Sequence, residues 1–181
     1  TNGFGKDRAS VMYNDFIIVG PQSDPANIKD MTSVLDALQN IFESGAVFIS
    51  RGDDSGTHKK ELELWSQAEL NPAGQVWYLE SGQGMGATLT IASEKAAYTL
   101  TDRGTYLSQK ENLELIIILE GDPPLLNPYH VITINPEKYP NINYEGALAF
   151  YNFMIDAETQ TVISEFGIDL YGEPLFFADA E

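Results

Sequence analysis

The sequence lacks cysteine altogether, which excludes disulfide bonds, thiolate metal sites and cysteine nucleophiles within its 181 residues. Basic residues are also scarce, because 10 lysines and arginines stand against 27 aspartates and glutamates, and the formal net charge is −17 at pH 7. A negative field of this size repels polyanions, so we predict no binding to nucleic acid and no docking on anionic lipid. Apolar runs stay well short of the roughly 18 residues that a membrane-spanning helix needs, so we predict no such helix.

The scarcity of bases is most marked in the last part of the chain. Residues 111–181 contain 13 acids and a single base, Lys138. A stretch of this composition is typical of a solvated surface. It is also compatible with a protein whose only role is to interact with other macromolecules, and that alternative stays open.

Short apolar runs alternate with segments of helical periodicity. The apolar runs predict buried strands at residues 16–20, 46–50, 76–79, 98–100, 115–119 and 131–134. Helical spacing predicts helices near residues 31–42, 57–70, 87–95, 147–154 and 162–166. Continuous apolar strands that alternate with helices indicate an α/β fold with a mostly parallel sheet flanked by helices.

The segment Ser-Arg-Gly-Asp-Asp-Ser-Gly-Thr-His, residues 50–58, lies between a predicted strand and a predicted helix. A helix start presents free N–H groups, and Arg51 adds a planar set of donors that suits an oxyanion. Ser55, Gly56 and Thr57 would supply hydroxyl and backbone donors beside it. The alternative is structural, with Asp54 or Ser55 as the helix cap and Arg51 paired with an exposed acid.

A second glycine-rich segment, Ser-Gly-Gln-Gly-Met-Gly at residues 81–86, also leads into a predicted helix. It lacks the Gly-Lys-Ser/Thr ending of a phosphate-binding P-loop and does not fit the dinucleotide spacing. A tight strand-to-helix turn explains it equally well. The pair Ser55 and His58 raises the alternative of a serine hydrolase, although the segment does not have the Gly-x-Ser-x-Gly frame of a nucleophile elbow.

Several segments in this order resemble the tungstate-binding proteins of ABC transporters, which belong to the type II periplasmic-binding-protein class. The resemblance rests on Met-Tyr-Asn-Asp-Phe at 12–16, the segment at 50–58, Gly-Met-Gly at 84–86 and Val-Ile-Thr-Ile-Asn-Pro at 131–136. It covers residues 8–178, nearly the whole chain.

The resemblance implies a non-catalytic receptor in the periplasm or outside the cell. Two α/β lobes would close on tungstate or molybdate and deliver it to a membrane permease, with no cofactor and no metal other than the one in the oxyanion. It implies anion contacts from Arg51 and Thr57 first, with Ser55 and Gly56 nearby. Secondary anion or hinge contacts would come from Gly84, Met85, Gly86 and Arg103. A phosphate or sulfate receptor of the same fold is the alternative ligand class.

The resemblance also predicts the domain organisation. Residues 1–13 would enter between the lobes, residues 14–128 would form the second lobe with the anion half-site, and residues 129–181 would return to the first lobe. Proteins of this family begin further upstream with a Thr/Ser-rich turn, which this sequence does not show before Arg8, and residues 1–5 do not resemble a signal peptide. We therefore expect an incomplete first lobe and weaker anion binding. Residues 129–181 would either pack against a second copy of the chain, which gives a homo-oligomer, or fold back on residues 14–128.

Overall fold

The computed structural model describes residues 2–180, and the chain divides into two compact units. One unit is the segment Asp15–Leu126. The other combines the segment that ends at Asn14 with the segment that begins at Asn127. The first strand, β1 (Gly5–Pro21), passes from one unit to the other. These divisions fall near the boundaries expected from the sequence, and the assignment of each unit to a lobe of a receptor stays a prediction.

The unit Asp15–Leu126 contains most of the regular structure. After β1 it contains α1 (Val34–Ser44), β2 (Phe48–Ser50), α2 (Gly56–Gln67), β3 (Tyr78–Glu80), α3 (Met85–Glu94), β4 (Thr99–Asp102), α4 (Arg103–Gln109) and β5 (Leu115–Leu119). Two single 3₁₀ turns, Lys110–Asn112 and Pro123–Leu125, flank β5. Strand β5 has the predicted bounds. Helix α1 begins later than predicted because Ser33 caps it and accepts the Asp36 N–H at 3.2 Å.

The strands of this unit pair in both orientations, so the expectation of a mostly parallel sheet is met only in part. β2 and β3 are parallel, with Phe48 opposite Tyr78, and a parallel bridge joins Phe48 to Tyr98. Strand β1, however, runs antiparallel to β4 and to β5. An apolar run buried on both faces has the same sequence pattern in either orientation, so the composition of β1 could not reveal its direction.

Both faces of the sheet are covered by helices. Along β1 the side chains alternate, because successive residues of a strand point to opposite faces. Ile18 packs into a cluster with residues of α1 and α2, whereas Ile17 packs into a second cluster with residues of α3 and α4. Both side chains are fully buried. The α/β fold class predicted from the sequence is therefore confirmed.

The other unit contains the beginning of β1, strand β6 (Leu126–Ile134) from Asn127 onward, α5 (Tyr144–Ile155), α6 (Ala157–Glu165), α7 (Ile168–Tyr171) and β7 (Phe177–Ala178). The last two elements were not predicted. β7 pairs antiparallel with β1 through Met12 and Tyr13. Large apolar side chains of this unit are exposed, among them Phe150, Phe153, Val162, Phe166 and Leu170. Association of this unit with a second copy stays a prediction.

Candidate anion-binding site

The two glycine-bearing segments lie side by side at one edge of the sheet. β2 and β3 are parallel, so their carboxyl ends meet at the same edge, where α2 and α3 begin. The N–H of Ser81 donates to the carbonyl of Ser50 at 2.9 Å, and the N–H of Gly82 donates to the carbonyl of Arg51 at 2.9 Å. Ligands of open α/β sheets bind at this kind of edge. The candidate site therefore contains the N-termini of α2 and α3, and the loops that precede these two helices are hydrogen-bonded to each other.

The loop between β2 and α2 turns sharply at Gly52. Its φ is +61°, and a Cβ at this position would lie 2.8 Å from the Cβ of Glu80. Any residue other than glycine is therefore disfavoured at position 52 for two reasons. Its backbone would be strained at this positive φ, and its Cβ would clash with β3. Asp54 also has a positive φ, of +58°. The turn places Arg51, Asp53 and the helix start close together.

Helix α2 begins with donors that have no acceptor within the helix. Ser55 is the N-cap, and its Oγ accepts the N–H of His58 at 3.3 Å. The N–H groups of Gly56 and Thr57 belong to the first turn, where an α-helix offers no internal partner. A Cβ at Gly56 would meet no atom within 4 Å, so the space beside this glycine is open. The predicted donors Ser55, Gly56 and Thr57 therefore occur together at one helix start.

Arg51 lies against the same helix start through Asp53. Its Nη2 donates to Asp53 Oδ2 at 2.5 Å, and the Arg51 side chain is only 17% exposed. Asp53 Oδ1 accepts the N–H of Ser55 at 3.2 Å. Hydrogen bonding from Ser55 and then from Arg51 lowers the pKa of Asp53 to about 2. Both structural alternatives from the sequence are thus present, because Ser55 caps the helix and Arg51 pairs with an acid.

The geometry does not form a Ser55–His58 catalytic pair. The Nδ1 of His58 accepts the backbone N–H of Asp54 at 3.0 Å, so the imidazole bonds to the loop. Ser55 Oγ accepts the backbone N–H of His58 at 3.3 Å, which is a capping interaction. A general base would have to accept the hydroxyl proton of Ser55, and no hydrogen bond between the two side chains occurs in the described part of the chain.

The four secondary residues have different surroundings. Gly84 is the N-cap of α3, Met85 is buried in the core, and Gly86 lies against the side chain of Gln109. Arg103 donates from Nε and Nη2 to Asp15, at 2.8 and 2.6 Å, and from Nη2 to Glu120 at 2.6 Å. These bonds raise the pKa of Arg103. Because two carboxylates already neutralise this guanidinium, its role as an anion contact or hinge contact stays a prediction without support from its surroundings.

Glu61, to which the sequence analysis gave no role, is buried directly behind the loop. Its Oε1 accepts the hydroxyl of Tyr78 at 2.6 Å and the indole N–H of Trp65 at 3.3 Å. Burial raises the pKa of Glu61 to about 7, against the opposing effect of these donors and of nearby Ser50. The sequence signal was a glutamate four residues before a tryptophan on the apolar side of a helix. Among residues 2–180, no group of three or more acidic or histidine side chains could hold a metal ion.

Comparison of the chain with known proteins identifies a matching family model and similar relatives. The family model of the PBP superfamily domain matches residues 1–158. The chain is 50% identical to the tungstate-binding protein TupA of Peptoclostridium acidaminophilum, over 98% of this chain and 63% of that protein. It is 48% identical to a putative ABC transporter anion-binding protein of Haloferax volcanii, over 99% of this chain and 53% of the relative. The chain thus spans between half and two thirds of the length of these relatives.

A solved structure has the same fold. The tungstate-binding protein TupA from Desulfovibrio alaskensis G20 superimposes with a TM-score of 0.90 and is 47% identical, over 99% of this chain and 72% of that chain. These comparisons confirm the resemblance that the sequence motifs indicated.

Proposed function

The chain belongs to the PBP superfamily, and on that premise we propose that it acts in an extracytoplasmic solute-binding protein that captures a tetrahedral oxyanion, tungstate in the first place. Its relative from Peptoclostridium acidaminophilum is named for tungstate, and its relative from Haloferax volcanii is named for anion binding by an ABC transporter. In this proposal an ABC-transporter permease receives the ligand, and the location is periplasmic or extracellular. None of the helices of residues 2–180 is long and apolar enough to cross a membrane.

The observation that carries the proposal is the position of Arg51 beside the start of α2. A tetrahedral dianion needs N–H and O–H donors on several sides and a compensating positive charge. The guanidinium supplies the charge, and the N–H groups of Gly56 and Thr57 add donors at the positive end of the helix dipole. Such local donors act at contact distance, where they outweigh the distant field of the acidic surface.

The proposed role is binding without chemistry. Ser55 serves as a helix cap and His58 accepts a backbone N–H, so neither side chain is arranged as nucleophile or base. Residues 14–128 would be the lobe that contributes this half of the site, and the remaining residues would belong to the other lobe. Molybdate has the same charge and tetrahedral shape as tungstate, so both are expected ligands, whereas phosphate and sulfate are smaller.

A thermal-shift panel tests the proposal. The chain is heated with tungstate, molybdate, sulfate, phosphate or sodium chloride of matched ionic strength. Because a ligand stabilises the folded state that binds it, tungstate and molybdate should raise the melting temperature more than the other anions do. Equal melting temperatures for all five salts would contradict the proposed ligand class. A larger shift with phosphate or sulfate would assign the site to those anions.

A further inference from the structure

Asp53 accepts hydrogen bonds from the same kinds of donor that the proposed anion would bind. One of its carboxylate oxygens, Oδ2, accepts from the guanidinium of Arg51 at 2.5 Å. The other, Oδ1, accepts the N–H of Ser55 at the start of α2 at 3.2 Å. The carboxylate therefore bridges the cation of the site and its helix start, as an oxyanion would.

We propose that Asp53 is a built-in competitor for the oxyanion, which must displace the Asp53 carboxylate from Arg51 in order to bind. The inference depends on the proposed function, because it concerns the same Arg51 and the same helix start. Such competition means that an anion binds only if it interacts with Arg51 and the helix start more strongly than the Asp53 carboxylate does. A dianion with four oxygens can replace a carboxylate that has one charge and two oxygens, whereas a small monoanion gains too little to do so.

Charge repulsion favours displacement of the Asp53 carboxylate over simultaneous binding of Asp53 and the anion to Arg51. A dianion on the Arg51 guanidinium would lie within a few ångströms of the carboxylate if Asp53 stayed in place, and like charges at that distance repel strongly. The Asp53 side chain is 22% exposed, so its carboxylate has access to water and can exchange Arg51 for solvent. Asp53 is ionised at neutral pH because its pKa is lowered to about 2, and the competition therefore operates throughout the physiological range.

The alternative role for Asp53 is to position Arg51, and that role predicts the opposite change in anion affinity. If Asp53 only held the guanidinium in a productive orientation, removing its charge would weaken anion binding. If Asp53 competes with the anion, removing its charge strengthens binding. The sign of the change in affinity therefore separates a competitor from a positioning residue.

The adjacent aspartate is a matched control. Asp54 lies in the same loop, its side chain is 87% exposed, and it pairs with the exposed Lys59 at 3.4 Å. Asp53→Asn and Asp54→Asn each remove one negative charge without changing side-chain size, so their effects on the overall field are nearly equal. An asparagine at position 53 can still accept the N–H of Ser55, which preserves the turn before α2.

The experiment is a calorimetric titration of the wild-type chain and both variants with sodium tungstate at pH 7. We expect Asp53→Asn to bind about fivefold tighter or more, which is about 1 kcal/mol, and Asp54→Asn to stay within about twofold of wild type. Equal or weaker binding by Asp53→Asn than by wild type would overturn the inference and leave the proposed function intact. If neither the wild type nor either variant binds tungstate, molybdate, phosphate or sulfate, the proposed function fails and the inference fails with it.

A measurement without ligand tests the premise separately. In the ¹⁵N NMR spectrum of the empty protein, the Nη2–H resonance of Arg51, the group that donates to Asp53, should shift in Asp53→Asn and stay unchanged in Asp54→Asn. If the resonance is the same in all three proteins, Asp53 does not hold Arg51 in solution, and the inference is overturned whatever the titration gives.

Discussion

Tyr78 donates its hydroxyl to the carboxyl of Glu61 at 2.6 Å, and this buried bond joins β3 to α2 immediately behind the loop that carries Arg51. Trp65 donates to the same oxygen from the next turn of α2. Neither donor carries a charge at neutral pH, so the ionised carboxylate lacks a cationic partner among these contacts. A buried carboxyl of this kind favours its protonated form.

The stability of the protein should therefore decline with rising pH in a way that depends on Glu61. The folded-state pKa is about 7 and the unfolded value is 4.5, so the native state binds more protons between these values. Its contribution is fully present below about pH 4.5 and is lost as the pH rises through about 7, by an amount on the order of 3 kcal/mol.

Denaturant unfolding from pH 5 to pH 8.5 measures this effect. The difference in unfolding free energy between wild type and Glu61→Gln should shift in favour of the variant as the pH rises. Glu63→Gln, on the exposed side of the same helix, is the control and should follow the wild type. A pH-independent difference between wild type and Glu61→Gln would contradict the account.

Gly52→Ala should destabilise the protein by about 1–3 kcal/mol, because alanine is strained at the positive φ of this position and its Cβ would clash with the Glu80 side chain. Gly74→Ala is the matched control. Gly74 also has a positive φ, of +83°, but a Cβ there would meet no atom within 4 Å. Urea unfolding should give a larger loss for Gly52→Ala, and equal losses would show that β3 does not confine the loop.

Arg103→Ala should lower the unfolding free energy by about 2–4 kcal/mol, because it leaves the largely buried carboxylate of Asp15 without its cation. Lys60→Ala removes the same charge from an i,i+3 pair with Glu63, whose carboxylate is half-exposed, and should cost less than about 1 kcal/mol. Chemical unfolding at low salt compares the two. A loss from Arg103→Ala no larger than that from Lys60→Ala would mean that the Asp15 pair is as weak as a surface pair.

His58→Ala should leave tungstate affinity within about threefold of wild type, or under about 0.7 kcal/mol, because the imidazole bonds to the loop backbone. The same protein should be assayed for hydrolysis of phosphate and acyl esters. Hydrolysis by the wild type that disappears in His58→Ala would favour the enzyme class over a receptor.

The sequence predicted the elements whose patterns are local and strong. Helix α1 ends at Ser44, two residues beyond the predicted end at residue 42, before Gly45 in the left-handed conformation, and β5 is the run of five apolar residues. Helix α4 was missed because Asp102 and Gly104 are typical of an open turn, whereas the Asp102 carboxylate caps a helix by accepting the Thr105 N–H at 2.8 Å. The direction of β1 depends on pairing with distant strands, which no local pattern records.

For the candidate site, the motif around Arg51 indicated the donors but not their partners. Spacing along the chain could place Ser55 and Thr57 at a helix start. It could not show that the loop after β3 bonds to the carbonyl of Arg51, or that Asp53 takes the guanidinium, since both depend on the folded turn at Gly52.

Calorimetric titration of tungstate into wild type, Arg51→Gln and Lys59→Gln tests the central claim most directly. Both substitutions remove one positive charge close to the start of α2, but Lys59 is exposed and pairs with the solvent-facing Asp54. Loss of charge-assisted bonds to the anion should weaken binding by Arg51→Gln about tenfold or more. Lys59→Gln should bind within about twofold of wild type. Equal tungstate affinity in wild type and Arg51→Gln would contradict the assignment of Arg51 to the site and, with it, the proposed anion-binding role of this helix start.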